Sequence, residues 1–159
     1  MPFRTGVGYD SHRLAPGGPM RLGGIDIPFD RHCAGHSDGD AICHAITDAL
    51  LGAAALGDIG ALFPDTDPAN KGKDSIAMLQ VAVERVHAAG WRVGNVDVTV
   101  IAEQPKIGKV RDAMRARLAT TLAVDVADVF VKGKTNETLG WIGRGEGIGV
   151  IAVATLVAV

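Results

Sequence analysis

Aromatic side chains are scarce in this chain, and cysteine is scarcer still. Only 4% of the 159 residues are Phe, Trp or Tyr, and the two cysteines are Cys33 and Cys43. They form no Cys-x-x-Cys motif, and although they could pair, we expect both thiols to be reduced. A core with so few rings must be built from Ala, Val, Ile and Leu, which suits helices packed closely on a sheet.

Strong net charge and long apolar runs are also missing. The formal net charge is −2 at pH 7, which gives no reason to expect nucleic acid or a membrane surface as a partner. Asp, Arg or Gly interrupts the apolar segments well before a length that spans a bilayer. The N-terminus is strand-like, without a charged-then-apolar leader, so we expect a cytoplasmic protein, or a plastid one if the source is a plant.

Hydrophobic residues make up 47% of the chain, enough for one globular domain over residues 1–159. Alternating patterns predict strands at 3–14, 20–27, 96–102, 129–132 and 145–159. Helical spacing predicts helices at 38–56, with Ser37 as N-cap, at 74–90 and from 105 to 122, a loop at 30–35 and one helical turn at 135–139. Because no strict βαβ repeat is present, we expect a two-layer α+β sandwich, a mixed sheet with helices on one face. Exposed aliphatic stretches predict an oligomer.

Three candidate metal ligands lie in the first third of the chain. Asp10 and His12 alternate along a predicted strand, so their side chains project from the same face. His44 lies inside the helix that follows, with Asp40 and Asp48 one turn away as expected acceptors for its ring. One carboxylate and two imidazoles leave a position open on a tetrahedral zinc, which is typical of a catalytic site. The alternative is that these are ordinary polar residues.

Two neighbouring segments have the composition of an anion and polyol pocket. His36 and Ser37 precede a predicted helix N-terminus, where backbone N–H groups favour a phosphate. A capping loop explains them equally well. The loop from Asp58 to Asp67 carries three acids, which would accept hydrogen bonds from paired hydroxyls or stabilise turns.

The basic segments in the second half of the chain are less specific. Lys106 opens a predicted helix and could simply be solvated. Residues 132–137 mix groups that suit a phosphate with Glu137, an acid that could hold a second metal. The run at 143–147 lacks the Lys-Ser/Thr ending of a P-loop and precedes a strand, so a glycine-rich turn is the better interpretation.

Together these segments resemble the 2-C-methyl-D-erythritol 2,4-cyclodiphosphate synthase family of the non-mevalonate isoprenoid pathway. The resemblance covers nearly the whole chain and is most specific over residues 36–68. It rests on segments 8–12 (GYDSH), 36–44 (HSDGDAICH), 47–52 (TDALLG), 57–60 (GDIG), 63–68 (FPDTDP), 94–97 (GNVD), 105–106 (PK), 135–137 (TNE) and 143–147 (GRGEG).

The resemblance implies a homotrimer with active sites between subunits, in which Asp10, His12 and His44 hold zinc. It implies that the 2-phosphate of 4-diphosphocytidyl-2-C-methyl-D-erythritol 2-phosphate attacks the β-phosphorus, so that CMP leaves and a cyclic diphosphate forms. His36 and Thr135 match the positions assigned to transition-state stabilisation. Glu137 matches the carboxylate that binds a second divalent ion, magnesium or manganese.

The resemblance also implies substrate contacts. The methylerythritol positions are His36, Ser37, Asp58, Ile59, Gly60, Phe63, Asp65 and Asp67, beside Asp10, Ser11 and His12. The cytidine diphosphate positions include Ala102, Pro105, Lys106, Lys134 and Glu137. Trp141 and Arg144 match residues near a trimer cavity that can hold an isoprenoid diphosphate. Gly108, Lys134 and Asn136 depart from the residues usual in the family.

Two other functions use the same ligands. A zinc phosphohydrolase would activate water at the metal, and a metal-stabilised trimeric module would bind isoprenoid diphosphates without turnover. The cyclising reaction needs no Ser or Cys nucleophile because the attacking oxygen belongs to the substrate. What it needs is positioning of two anionic groups and neutralisation of their charge.

Overall fold

The computed structural model describes all 159 residues. Its strands are β1 (Phe3–Pro16), β2 (Met20–Leu22), β3 (Ile25–Ile27), β4 (Arg31–Cys33), β5 (Trp91–Ile101), β6 (Val129–Lys134) and β7 (Gly147–Ala158). Its helices are α1 (Ala41–Ala54), α2 (Ile59–Leu62), α3 (Ser75–Ala88), α4 (Arg111–Leu122) and α5 (Gly140–Gly143). Short 3₁₀ turns lie at Pro68–Asn70, Ile107–Lys109 and Val126–Asp128.

Five strands form one mixed sheet in the order β4-β1-β7-β5-β6, and β2 and β3 form a separate hairpin. β1 is antiparallel to β4 and β7, and β5 is antiparallel to β7 but parallel to β6. The register aligns Asp10 with Val150, Val150 with Val100, and Val100 with Gly133. The predicted α+β class with a mixed sheet is therefore confirmed.

Helix α1 packs directly on β1 because that strand carries no side chain where the two meet. A Cβ on Gly6 would overlap the carbonyl oxygen of Ala49, and a Cβ on Gly8 would overlap that of Ala45. Glycine is therefore required at both positions for this close approach. The contact brings the turn of α1 that carries His44 beside the strand residues that follow Gly8.

The opposite face of the sheet has no such cover. Val7, Tyr9, Ile151 and Val153 on β1 and β7 are between 39% and 67% exposed. The core lies between the helices and the sheet, and none of the helices combines the length and apolarity needed to cross a bilayer.

Several predicted boundaries are wrong for local reasons. Residues 20–27 are a hairpin rather than one strand, since Gly23 and Gly24 turn the chain with φ of 64° and 76°. The predicted loop at 30–35 contains β4, which pairs with the end of β1, and three residues are too few to show a period.

Helix starts also differ from the predictions. Asp40, not Ser37, is the N-cap of α1, because Gly39 has a φ of 77° that no helix continues through. The third helix begins at Arg111 after a 3₁₀ turn. The helical turn predicted at 135–139 lies at Gly140–Gly143 instead, since Glu137 and Thr138 adopt left-handed backbone with φ of 52° and 63°.

Candidate functional site

The three predicted metal ligands converge on one point. Asp10 and His12 project from β1 towards α1, and His44 projects from α1 towards β1. Asp10 Oδ2 lies 2.7 Å from His12 Nε2 and 3.0 Å from His44 Nδ1, and the two ring nitrogens are 3.4 Å apart. Asp10, His12 and His44 form a group that could hold a metal ion, with ligand atoms within 4.8 Å of one another. We call these residues the metal triad.

Hydrogen bonds outside the triad determine which ring nitrogens face its centre. His12 Nδ1 lies 2.7 Å from the carbonyl oxygen of Ala34, which can only accept, so Nδ1 donates and Nε2 is the nitrogen that faces Asp10. His44 Nε2 lies 2.9 Å from Ser37 Oγ and 2.8 Å from Ser75 Oγ. Because Ser75 Oγ donates its proton to Asp38, it accepts from His44 Nε2, and the nitrogen of each imidazole that faces the triad is left for a metal.

The serine partners of His44 replace the acids that sequence predicted. Ser75 Oγ donates in turn to Asp38, whose other carboxylate oxygen accepts from the backbone of Ser75 at 2.9 Å. Ser75 lies 31 residues from His44, at the start of α3, so no local spacing could have indicated it.

Asp40 and Asp48 stabilise the backbone instead of the imidazole. Asp40 is fully buried and accepts from the backbone N–H of Gly23 and Gly24, at 2.9 and 2.7 Å, and from that of Cys43 at 3.1 Å. Asp48 accepts from the N–H of Ile59 at 2.7 Å. Their expected bond to His44 was wrong, because helical spacing gives the face of a residue but not its partner.

Burial and the ion pairs set the charges of the metal triad. Burial opposes ionisation of Asp10, but hydrogen bonds from His12 and His44 outweigh it and lower the pKa of Asp10 to about 2. Burial lowers the pKa of His12, but its bond to Asp10 dominates and raises that pKa above the ordinary 6.5. In the metal-free triad a proton on His12 is therefore stabilised by the Asp10 carboxylate, and a bound cation would take the place of that proton.

The two cysteines are free and do not belong to this group. Burial raises the pKa of Cys33 to about 12 and that of Cys43 well above its ordinary value. Cys43 Sγ donates to Asp40 at 3.3 Å. Both thiols remain protonated, as inert buried thiols do.

A cavity of about 350 Å³ opens beside the metal triad, and we call it the triad pocket. It brings together many of the residues predicted to contact methylerythritol. Its lining consists of His12, His36, Ser37, His44, Ile59, Gly60, Phe63, Pro64, Asp65, Asn70 and Met78. Asn70 and Met78 were not predicted, because they come from the 3₁₀ turn and α3 and carry no local motif.

Two predicted acids do not line the triad pocket. Asp58 accepts from the N–H of Ala61 at 2.8 Å and caps α2, and Asp67 accepts from that of Ala69 at 3.0 Å. In this conformation both act as turn residues. Phe63 is held at the pocket by Lys73, whose ammonium lies 4.9 Å from the ring centroid.

The predicted nucleotide residues form a second cleft, of about 260 Å³, at the other edge of the sheet. The lining of this edge cleft consists of Ala102, Pro105, Lys106, Ile107, Gly108, Arg111, Gly133, Lys134 and Thr135. The Ala102 N–H donates to the carbonyl oxygen of Lys134 at 2.9 Å, and this bond joins the two sides of the edge cleft. Glu137 lies just beyond it, fully open to solvent. Arg111 adds an unpredicted cation.

Comparison with known proteins agrees with this geometry. The model of the YgbB family matches residues 3–157. The chain belongs to the YgbB family.

Both named proteins and solved structures resemble this YgbB chain. It is 76% identical over 157 residues to 2-C-methyl-D-erythritol 2,4-cyclodiphosphate synthase of Gemmatimonas aurantiaca, a match that covers 99% of this chain and 95% of the relative. The bifunctional IspDF of Campylobacter jejuni superposes with a TM-score of 0.96 at 40% identity over 99% of this chain, which spans only 43% of that longer protein. The IspF of Plasmodium falciparum in complex with CDP superposes with a TM-score of 0.87 at 36% identity, covering 98% and 96% of the two chains.

The remaining predicted residues of this YgbB chain surround a third cleft, of about 270 Å³. Ser11 and Trp141 line it together with His12, Arg13, Glu146 and Gly147. The Arg144 side chain is more exposed than that of Glu146, and Arg144 Nε donates to Glu146 Oε2 at 2.9 Å. Ser11 thus lies apart from the triad pocket, although Asp10 and His12 flank it in sequence.

Proposed function

We propose that this chain converts 4-diphosphocytidyl-2-C-methyl-D-erythritol 2-phosphate into 2-C-methyl-D-erythritol 2,4-cyclodiphosphate with release of CMP, in non-mevalonate isoprenoid biosynthesis. This makes it a phosphorus–oxygen lyase, and its relative at 76% identity is named 2-C-methyl-D-erythritol 2,4-cyclodiphosphate synthase. The metal triad opening on the triad pocket is the observation that carries the proposal, because it joins a cation site to a polar cavity for a phosphorylated polyol.

The bond changes explain why no protein nucleophile lies in the site. An oxygen of the 2-phosphate forms a bond to the β-phosphorus, and the bond from that phosphorus to the oxygen bridging to the CMP part breaks. CMP leaves with that oxygen and the electron pair of the broken bond. The residues must hold two phosphates in line and exclude water, which would otherwise compete as nucleophile.

The donor set of the metal triad fits a divalent ion, and we propose zinc. Asp10, His12 and His44 would hold it through one carboxylate oxygen and two imidazole nitrogens, the ligand types zinc prefers. The fit rests on the hydrogen bond that His12 Nδ1 donates to the carbonyl oxygen of Ala34 and on those that His44 Nε2 makes with Ser37 Oγ and Ser75 Oγ, which leave His12 Nε2 and His44 Nδ1 aimed inward. When bound, the ion supplies Lewis-acid neutralisation of charge on the phosphate oxygens.

The other residues position the substrate. His36 and Ser37 lie in the triad pocket and would bind the phosphate there, His36 stabilising the charge that develops in the transition state. Ile59, Gly60, Phe63 and Asp65 shape the same pocket for the methylerythritol part.

In the edge cleft, Lys106 and Lys134 face the diphosphate, and Ala102 and Pro105 complete its wall. Thr135 would stabilise the transition state. Glu137 would hold a second ion, Mg²⁺ or Mn²⁺, which would neutralise charge on the diphosphate.

We propose a homotrimer with active sites between subunits, and the distance between these two groups supports sharing of the site between chains. The register places Asp10 three strands away from Gly133, about 14 Å across the sheet at the usual strand spacing. One β-phosphate cannot contact both the metal triad and Thr135 of the same chain across that distance. We infer that Lys134, Thr135 and Glu137 act on the substrate held by the metal triad of a neighbouring subunit.

The uncovered face of the sheet supports this assembly. Val7 and Tyr9 are 67% and 56% exposed in the single chain, and they adjoin Ile151 and Val153 on the next strand. Such a contiguous apolar face suits contact with further copies of the chain. Binding of an isoprenoid diphosphate near Trp141 and Arg144, and a cytoplasmic location, stay predictions.

Incubation of the purified protein with the cytidine substrate, Zn²⁺ and Mg²⁺ tests the proposal, with products followed by ³¹P NMR. We expect CMP and the cyclic diphosphate in equal amounts. The linear hydrolysed phosphate as main product would instead identify a zinc phosphohydrolase. Absence of turnover by a metal-loaded trimer would favour the hypothesis of a trimeric module that binds isoprenoid diphosphates without catalysis.

A further inference from the structure

The loop after β6 holds a backbone conformation that its own sequence disfavours. Glu137 and Thr138 follow one another in the left-handed region, with φ of 52° and 63°. For residues with a Cβ this region costs roughly 1–2 kcal/mol each. The loop also carries Thr135 and Glu137, so an outside contact is needed to hold these two residues in place.

That contact comes from one carboxylate on the segment after β5. Glu103 Oε2 accepts from the N–H of Asn136 at 2.8 Å, and Glu103 Oε1 accepts from the N–H of Thr138 at 3.0 Å. Alternate N–H groups of a loop that curls through left-handed backbone form a concave anion site. Here the protein fills that site with its own anion.

No cation of the protein shares the Glu103 carboxylate, since none of the ion pairs in the structure includes it. Its contacts with the loop are the two backbone bonds alone. Glu103 therefore acts on the loop by bridging the N–H groups of Asn136 and Thr138. Replacing one carboxylate oxygen by an amide nitrogen should disturb this bridge directly.

The bridge sets the orientation of both functional side chains in the loop. With the N–H groups of Asn136 and Thr138 held by Glu103, the N–H of Glu137 turns to Thr135 Oγ1 at 3.3 Å. The Thr135 hydroxyl accepts that bond, so its own proton is free to donate outwards. The Glu137 carboxylate makes no hydrogen bond or ion pair within the chain and is left open to solvent.

We propose that Glu103 is a positioning residue that holds Thr135 and Glu137 in the conformation required for the diphosphate and its divalent ion. The proposal rests on the proposed function, because it assigns Glu103 to the edge cleft of that same reaction. The two loop N–H groups offset part of its charge, which reduces its repulsion of the substrate diphosphate.

The test compares Glu103→Gln with the wild-type protein and with Glu84→Gln, an exposed control on α3 that has the same change of charge. Glutamine keeps the length of the side chain but turns one acceptor into a donor, which leaves one loop N–H without a partner. Loss of such a charge-assisted bond predicts a kcat lower by about tenfold. The Mg²⁺ concentration for half-maximal activity should rise several-fold, while zinc content and Tm stay near those of the control.

A merely structural role would leave kcat and the Mg²⁺ requirement of Glu103→Gln equal to those of the control, and that result would overturn the proposal. Calorimetry of CDP binding with Mn²⁺ gives a readout that needs no turnover. We expect weaker binding by Glu103→Gln alone. If the wild-type protein forms no cyclic product, the proposed function fails. CDP affinity still decides the role of Glu103 in that case. Equal affinity in all three proteins, or no binding by any of them, refutes that role.

Discussion

Removal of the two serine hydroxyls beside His44 should weaken the metal site while the chain stays folded. Ser37 and Ser75 contact His44 Nε2 at 2.9 and 2.8 Å and so hold the tautomer whose Nδ1 faces the metal triad. In Ser37→Ala or Ser75→Ala one hydroxyl remains, and we expect zinc affinity to fall by only about threefold. With both removed, His44 Nε2 loses both of these partners, and the fall should approach about 100-fold, the upper end for such supporting contacts.

The double variant should lose more affinity than the two single variants predict together, since each serine substitutes for the other. A 100-fold loss corresponds to about 2.7 kcal/mol. Zinc affinity is measured by competition with a chromogenic chelator, with circular dichroism to confirm the fold. Ser11→Ala is the matched control, because Ser11 lies between two triad residues on β1 but its side chain points to the opposite face. If the double variant binds zinc within threefold of this control, the serines do not orient His44.

Three other changes test separate parts of the structure. Asp40→Asn should lower the free energy of unfolding by about 2 kcal/mol, because the new amide faces the buried N–H of Gly24. Denaturant unfolding measures this change. If Asp40→Asn and the exposed control Asp125→Asn unfold with the same free energy, the prediction is wrong. Since the pKa of His12 is raised above 6.5, protons compete with zinc below that raised value. Zinc affinity should therefore increase with pH and level off once pH exceeds it, and a pH-independent affinity would exclude His12 as ligand. His36→Ala should reduce kcat by about 10²-fold with zinc still bound, and unchanged turnover would make His36 an ordinary loop residue.

Predictions from sequence succeeded where the deciding contacts are local. Asp10 and His12 share a face because strand side chains alternate, and helical spacing placed the apolar residues of α1 correctly. Alternation and helical spacing gave wrong predictions for short or irregular segments. β4 is too short for a period, and the left-handed residues at Glu137 and Thr138 displaced the predicted helical turn.

Partners distant in sequence could not be inferred from spacing at all. Ser75 supports His44 from 31 residues away, and Glu103 holds the N–H of Thr138 from 35 residues away. Asp40 and Asp48 had the right spacing to contact His44, yet they bind backbone groups of Gly23, Gly24 and Ile59. Helical spacing allowed several hydrogen-bond partners for His44, and tertiary packing determined that Ser37 and Ser75 contact it.

The sequence by itself identified the candidate metal ligands, the α+β class and the family of this chain, because these depend on residue type and on short-range spacing. Tertiary structure alone decided which nitrogen of each imidazole faces the metal triad, since that depends on acceptors and hydroxyls supplied by other elements. It also decided that the triad pocket and the edge cleft lie at opposite sides of one sheet. The order of strands in a sheet arises from contacts distant in the chain, and that order separates the metal triad of one chain from its own Thr135.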